Sequence, residues 1–233
     1  MIPFLETFMP KATKLLNEDG GASMATLLMM SHHAFRRDIA RFSIALGKLA
    51  ESNADTIAAL REEWRFYRSA LHGHHSVEDS QIFPSLAAEH QTLVPIIDQL
   101  SGDHRRIDPL LERGDSAFAQ LPKTGADASG VVTELVILLD RHLELEEEEV
   151  VSFLRDTKEF PAPANDEEAD MYAQGFSWSM HGIAPKVLVQ VYAMLPENLT
   201  SRLPAARNAF DARCERVWGS AKSGGSYTSV PDI

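Results

Sequence analysis

The chain has 233 residues, 44% of them hydrophobic, 24% charged and 8% aromatic, a balance that suits one medium globular domain with an extension. The formal net charge is −12, and no basic cluster exceeds the pairs Arg36–Arg37 and Arg105–Arg106, which argues against nucleic acid or an anionic membrane as partner. A single cysteine, Cys214, excludes an internal disulfide and any thiolate-held zinc or iron–sulfur centre.

The first residues lack a charged stretch followed by an apolar one, and no apolar run approaches the length of a bilayer, so the expectation is a cytoplasmic protein. After a lead segment over residues 1–22, apolar residues recur three and four apart in long windows, without period-two alternation. The reading is all-α. Segment A spans about Ser23 to Leu49, with Leu28, Phe35, Ile39, Phe42 and Leu46 on one stripe. Segment B begins near Asp55, a good N-cap, and runs to about Phe83, where Pro84 is expected to stop it; its stripe is Leu60, Trp64, Tyr67, Leu71 and Ile82. Segment C, from about Pro95 to Leu121, carries Ile97, Leu100, Ile107 and Leu111, and Pro109 inside it predicts a kink. Segment D runs from about Gly130 to Leu154, with Leu135, Leu138 and Phe153 on its stripe. Short polar or Pro/Gly-bearing stretches join these segments and predict an up-down-up-down four-helix bundle over residues 23–158. Beyond the linker Pro161–Asn165, helices are expected near Glu168–Met180, Lys186–Leu195 and Pro204–Trp218, forming an extension over residues 159–219. Its apolar residues, Trp178, Met180, Ile183, Val187, Leu188, Val191 and Met194, suit a cap on the bundle, a cavity wall or a homodimer surface. Residues 220–233 read as a disordered tail.

The histidines carry the functional signal. His32 lies on the stripe of segment A between Leu28 and Phe35, and His104 on that of segment C between Leu100 and Ile107. His74 with Glu78 extends the stripe of segment B, and His142 with Glu146 that of segment D. Residues four apart share a helix face and lie about 6 Å apart, so each His–Glu pair can reach one centre. Register agrees: residue 54 is midway between His32 and the His74–Glu78 pair, residue 90 midway between that pair and His104, and residue 124 midway between His104 and the His142–Glu146 pair. Each midpoint falls in a connection, so the six side chains can meet in one layer of the bundle. Two inward carboxylates without a cation would cost several kcal/mol each, comparable to a domain's whole net stability of roughly 5–15 kcal/mol. A pair of metal ions supplies that cation, and nitrogen and oxygen donors without sulfur suit iron, manganese or zinc.

Other residues are secondary candidates. His33 competes with His32 as the donor from segment A, although its helical neighbours Arg36 and Ala40 are expected to point away from the centre. His75 borders the stripe and is a further candidate ligand, with an orienting role or a surface one as the alternatives. Asp108, four residues after His104, suits ligation, orientation of an imidazole or pairing with Arg105. Tyr67, Met29 and Met30 read as core, and Glu147 and Glu148 as a solvated face answered by Arg36 and Arg37.

The succession His … His-x-x-x-Glu … His … His-x-x-x-Glu, with the strings His32-His33-Ala34-Phe35, His74-His75-Ser76-Val77-Glu78-Asp79, Asp103-His104-Arg105-Arg106 and His142-Leu143-Glu144-Leu145-Glu146-Glu147, resembles the hemerythrin-like (HHE cation-binding) proteins over about residues 23–155. The resemblance implies a non-haem site of two iron ions, oxo- or carboxylate-bridged, open to dioxygen, peroxide or nitric oxide. Oxygen-carrying members have a second histidine four residues after the first in their third helix, where this chain has Asp108, and an aspartate five residues after the last histidine, where this chain has Glu146 at four. A set poorer in imidazole leans towards redox turnover rather than reversible carriage. Three functions stay open at this point: a diiron redox protein consuming oxygen or peroxide, a non-catalytic sensor, carrier or store, and a metal-free scaffold.

Overall fold

The computed structural model describes residues 14–219, which are helical with no strand among them. Four long helices form the bundle: α1 (Met24–Gly47), α2 (Ala54–Val77), α4 (Val94–Ala119) and α5 (Gly125–Glu149). Between α2 and α4 the chain forms a π-helical turn at Glu78–Ile82 and the short helix α3 (Phe83–Glu89). Contacts run from α1 to α2, α2 to α4, α4 to α5 and α5 back to α1, which closes the bundle. The later chain forms α6 (Asp166–Ser179), α7 (Pro185–Met194), α8 (Glu197–Thr200) and α9 (Leu203–Trp218). The expected tail and most of the expected lead segment lie outside the described residues.

Local chemistry explains where these helices begin. Thr26 Oγ1 accepts the Ser23 backbone N–H at the start of α1. Asn53, not Asp55, caps α2: its Oδ1 accepts from the Thr56 N–H at 2.9 Å, and Asp55 sits in the first turn, where a negative charge suits the helix dipole. Pro84 does not stop the second helical path but is absorbed by it. The wide π turn gives the Phe83 N–H the Glu78 carbonyl as partner, and it relieves the collision that Pro84 would otherwise make with the carbonyl four residues back. Helix α4 continues through Pro109, which stands on its exposed side. Helix α5 starts five residues before the apolar pattern does, because residues 125–129 are small and polar, and its inward line runs Leu135, Leu139, Leu143 rather than through Leu138 and Phe153. Phe153 is exposed and packs on His90 instead.

The bundle core is aromatic at one end. Trp64 stacks on Phe118 with centroids 4.3 Å apart, and Phe42 sits edge-on to Trp64, Tyr67, Phe118 and Trp218. Gly114 of α4 makes this possible, since a Cβ there would lie 2.0 Å from Trp64 Cζ2. The extension is built into the same interior: Trp178, Phe210, Cys214, Val217 and Trp218 join the bundle core, while Phe176, Met180, Val187, Leu188 and Val191 pack with Met29 and Met30 on the outer side of α1. These apolar residues are therefore buried within the chain, and the extension packs against the bundle.

A buried ion cluster locks that arrangement. Asp38 accepts from Arg37 Nε (2.8 Å) and Nη2 (2.9 Å), from Arg41 Nη1 (3.0 Å) and from Trp178 Nε1 (2.7 Å), so α1 and α6 share one carboxylate. Arg37 Nη1 donates further to the carbonyls of Trp178 and His181. Burial opposes the charge of Asp38, but Arg37 and Arg41 overcome it and hold the carboxyl below its ordinary 3.8. A depressed carboxyl stabilises the fold above its unfolded pKa and loses that contribution as pH falls through the lower folded value.

Two outcomes follow. Gly114→Ala is expected to cost about 1–3 kcal/mol in urea unfolding, while Gly102→Ala on the same helix, where the nearest atom to a Cβ is Arg105 Nη2 at 3.7 Å, is expected to be neutral or stabilising by up to about 1 kcal/mol. Asp38→Ala is expected to cost about 3–5 kcal/mol at pH 7 by leaving buried guanidinium groups unpaired. The deficit against the unmutated chain should shrink only below about pH 4, which unfolding curves across pH will show.

Candidate metal centre

Helix α2 and its π turn supply the middle of the site. Glu78 begins the π turn, fully buried, four residues after His74 and three after His75. Adjacent imidazoles diverge by about 100° around a helix, so His74 and His75 flank Glu78 from two sides. Two sets of donor atoms result, each lying within 4.8 Å of one another: His75, Glu78, His104 and His142 in one, and His32, His74, Glu78 and Glu146 in the other. Glu78 belongs to both. The structure thus brings together the six residues singled out by register, and of the three further candidates it places His75 with them.

The other candidates lie elsewhere, for rotational reasons. His33 is buried on the far side of α1, about 100° from His32, where its Nε2 approaches Gly182 of the extension. Its own neighbours argue the same way: Arg37, one turn on, belongs to the Asp38 cluster. Asp108 is exposed, because Ile107 takes the inward position after His104. Glu147 corrects another expectation. It is not a solvated face but holds His32 Nδ1 at 2.9 Å and accepts from Arg36, which also grips Asp140. The signals that would have found these residues are the His75-x-x-Glu78 spacing and the acid directly after each inward glutamate.

The close approaches within the two sets do not form hydrogen bonds. His74 Nε2 lies 2.8 Å from Glu78 Oε1, His104 Nε2 3.4 Å from Glu78 Oε2, and His32 Nε2 3.2 Å from Glu146 Oε2. Yet all these atoms, both oxygens of each glutamate and both ring nitrogens of His75 and His142 are buried without a hydrogen-bond partner. Buried polar atoms are normally partnered, and leaving one unmade costs roughly 1–3 kcal/mol. A concentration of such atoms, aimed at two common points, is the arrangement that cations complete. Phe35 beside His74 and Phe83 stacked on His104 wall the layer with apolar rings.

The protonation pattern reflects the same crowding. Burial pushes His74 and His142 down to about 3, leaving neutral imidazoles with free lone pairs. Burial, reinforced by Glu146, raises Glu78. Glu146 is held below the usual carboxylate range although burial opposes it, because His32 faces it and His74 and His142 stand near. His32, resisted by burial but drawn by Glu146 and Glu147, rises to about 9. Protons on His32 and Glu78 are thus what a bound cation would displace.

Residues 23–154 match the family model for the hemerythrin HHE cation binding domain, more than half of the chain. The chain belongs to this hemerythrin family. No curated protein and no solved structure matches it. Family membership assigns cation binding, typically of iron, and the donor sets of this hemerythrin domain suit that role: nitrogen and oxygen donors, no sulfur, and buried lone pairs with no other partner. Together the two sets hold five imidazoles, His75 beside the four on the helix stripes.

Because Glu78 is common to both sets and Glu146 to one, their removal should differ. Metal analysis after anaerobic loading is expected to show Glu78→Ala losing both ions, Glu146→Ala losing chiefly the one at His32 and His74, and the exposed Glu148→Ala behaving as the unmutated chain.

Proposed function

We propose that this hemerythrin domain holds two iron ions, one in each donor set with Glu78 common to both, and that it binds and reacts with dioxygen or peroxide. The observation that carries the reading is the convergence of buried, unpartnered donors from α1, α2, α4 and α5 around the shared Glu78. An iron pair would supply redox equivalents and coordination positions for these oxidants. The chain's own part is to hold neutral imidazoles at a fixed depth, to balance cationic charge with Glu78 and Glu146, and to exclude bulk water with Phe35, Phe83 and the capping extension. Manganese and zinc suit the same donors, so the iron assignment draws on the family as well as on the site.

A second reading, a carrier, sensor or store for dioxygen or nitric oxide, draws support from His75. The fifth imidazole moves the donor set away from the carboxylate-rich composition that favours turnover. One experiment addresses both. Iron-loaded protein is followed by its optical spectrum before and after peroxide, with gas evolution recorded in parallel, and the reduced protein is exposed to oxygen and then degassed. Peroxide consumption with repeated spectral recovery supports redox turnover. Uptake of oxygen that returns intact on degassing supports the carrier instead. Fewer than about one iron per chain would count against both, since a site of this kind gains its stability from the bound cation.

A further inference from the structure

Each inward glutamate is followed directly by a second carboxylate: Glu78 by Asp79 and Glu146 by Glu147. Neighbouring residues on a helix point about 100° apart, and here the second carboxylate lies outside both donor sets and reaches sideways to an adjacent helix. Asp79 Oδ2 lies 2.9 Å from Nδ1 of His104 on α4, and Glu147 Oε1 lies 2.9 Å from Nδ1 of His32 on α1. An ionised carboxylate only accepts, so in both pairs Nδ1–H donates, and Nε2 is the nitrogen that would present its lone pair once a cation takes the place of any proton there. Those two Nε2 atoms are the ones facing Glu78 and Glu146 without a hydrogen-bond partner. His75 and His142, by contrast, have no hydrogen bond at either ring nitrogen.

We propose that Asp79 and Glu147 are positioning residues of the centre, each fixing the tautomer and raising the donor strength of one imidazole in each donor set: His104 in the set with His75 and His142, and His32 in the set with His74 and Glu146. The inference rests on the metal-binding reading above. The two anchors are unequal. The Glu147 side chain is 10% exposed and clamped by Arg36, whereas that of Asp79 is 44% exposed and held otherwise by Ser101 Oγ at 2.8 Å. Water competes for Asp79 and screens it, so the His104 side is the more easily loosened of the two.

The test uses the full chain loaded with cobalt(II), whose paramagnetism shifts the ligand N–H protons out of the crowded NMR spectrum. In water the unmutated protein is expected to show two slowly exchanging shifted N–H signals, from His104 and His32, which disappear in D2O. Asp79→Asn should shift or lose one of them and weaken one of the two ions by about 10–100-fold in chelator competition. Its unfolding curve without metal should stay close to that of the unmutated chain, because the side chain is half exposed. Asp79→Glu should restore the signal and most of the affinity. Glu147→Gln should affect the other signal and the other ion, with a larger loss because the Glu147 side chain is the less exposed and Arg36 loses one of its two carboxylate partners. If the unmutated chain binds two cobalt ions but Asp79→Asn and Glu147→Gln keep both signals and affinities within about twofold, the positioning role is refuted and the metal site stands. Failure of the unmutated chain to bind cobalt would overturn the metal-binding reading, and this inference with it.

Discussion

Two carboxylates buried in one layer of a helical bundle create a charge that the interior must answer. Glu78 and Glu146 are fully shielded from solvent, on helices that face each other across the bundle, and the groups around them are imidazoles rather than lysine or arginine. In a low-dielectric interior an unneutralised pair would consume most of the net stability of a domain. The two carboxyls shift in opposite directions, with His32 drawing charge against Glu146 while burial and Glu146 turn Glu78 towards the protonated form. The depth of the helices, the π turn that starts at Glu78 and the apolar rings of Phe35 and Phe83 all serve the placement of that one layer.

Helix α1 is the element on which site and extension both depend. Its bundle face carries His32, Phe35, Ile39 and Phe42, and its opposite face carries Met29, His33 and Arg37 against α6 and the segment after it. A helix buried nearly all round must place charged residues inside, and Arg37, Asp38 and Arg41 are satisfied by one another, by Trp178 and by backbone carbonyls. A well-packed apolar cluster would give comparable stability, so the ionic version is better understood as setting which face of α1 meets which partner. Rotation of α1 by one residue would exchange His32 for His33, and the Asp38 cluster opposes that exchange.

The donor sets are unequal: three imidazoles and a shared carboxylate on one side, two imidazoles and two carboxylates on the other. The second side includes His74, whose side chain at 10% exposure reaches furthest towards solvent of any donor in the two sets.

The sequence by itself determined the class of fold, the four long helices and the common depth of His32, His74, Glu78, His104, His142 and Glu146, because helical periodicity and distance from a turn are one-dimensional quantities that survive in the order of residues. It also carried the charge argument for a cation. Only the tertiary structure decided what depends on rotation and on neighbours distant in the chain. Whether His75 turns in and Asp108 turns out depends on how far each helix is rotated about its axis, and the π turn at Glu78 has no pattern in apolar spacing. Glu147 looked like one of a run of solvated acids, and its partners lie 115 and 111 residues away. Contacts of that range become visible only once α1 and α5 are laid side by side, because neither helix holds the information alone.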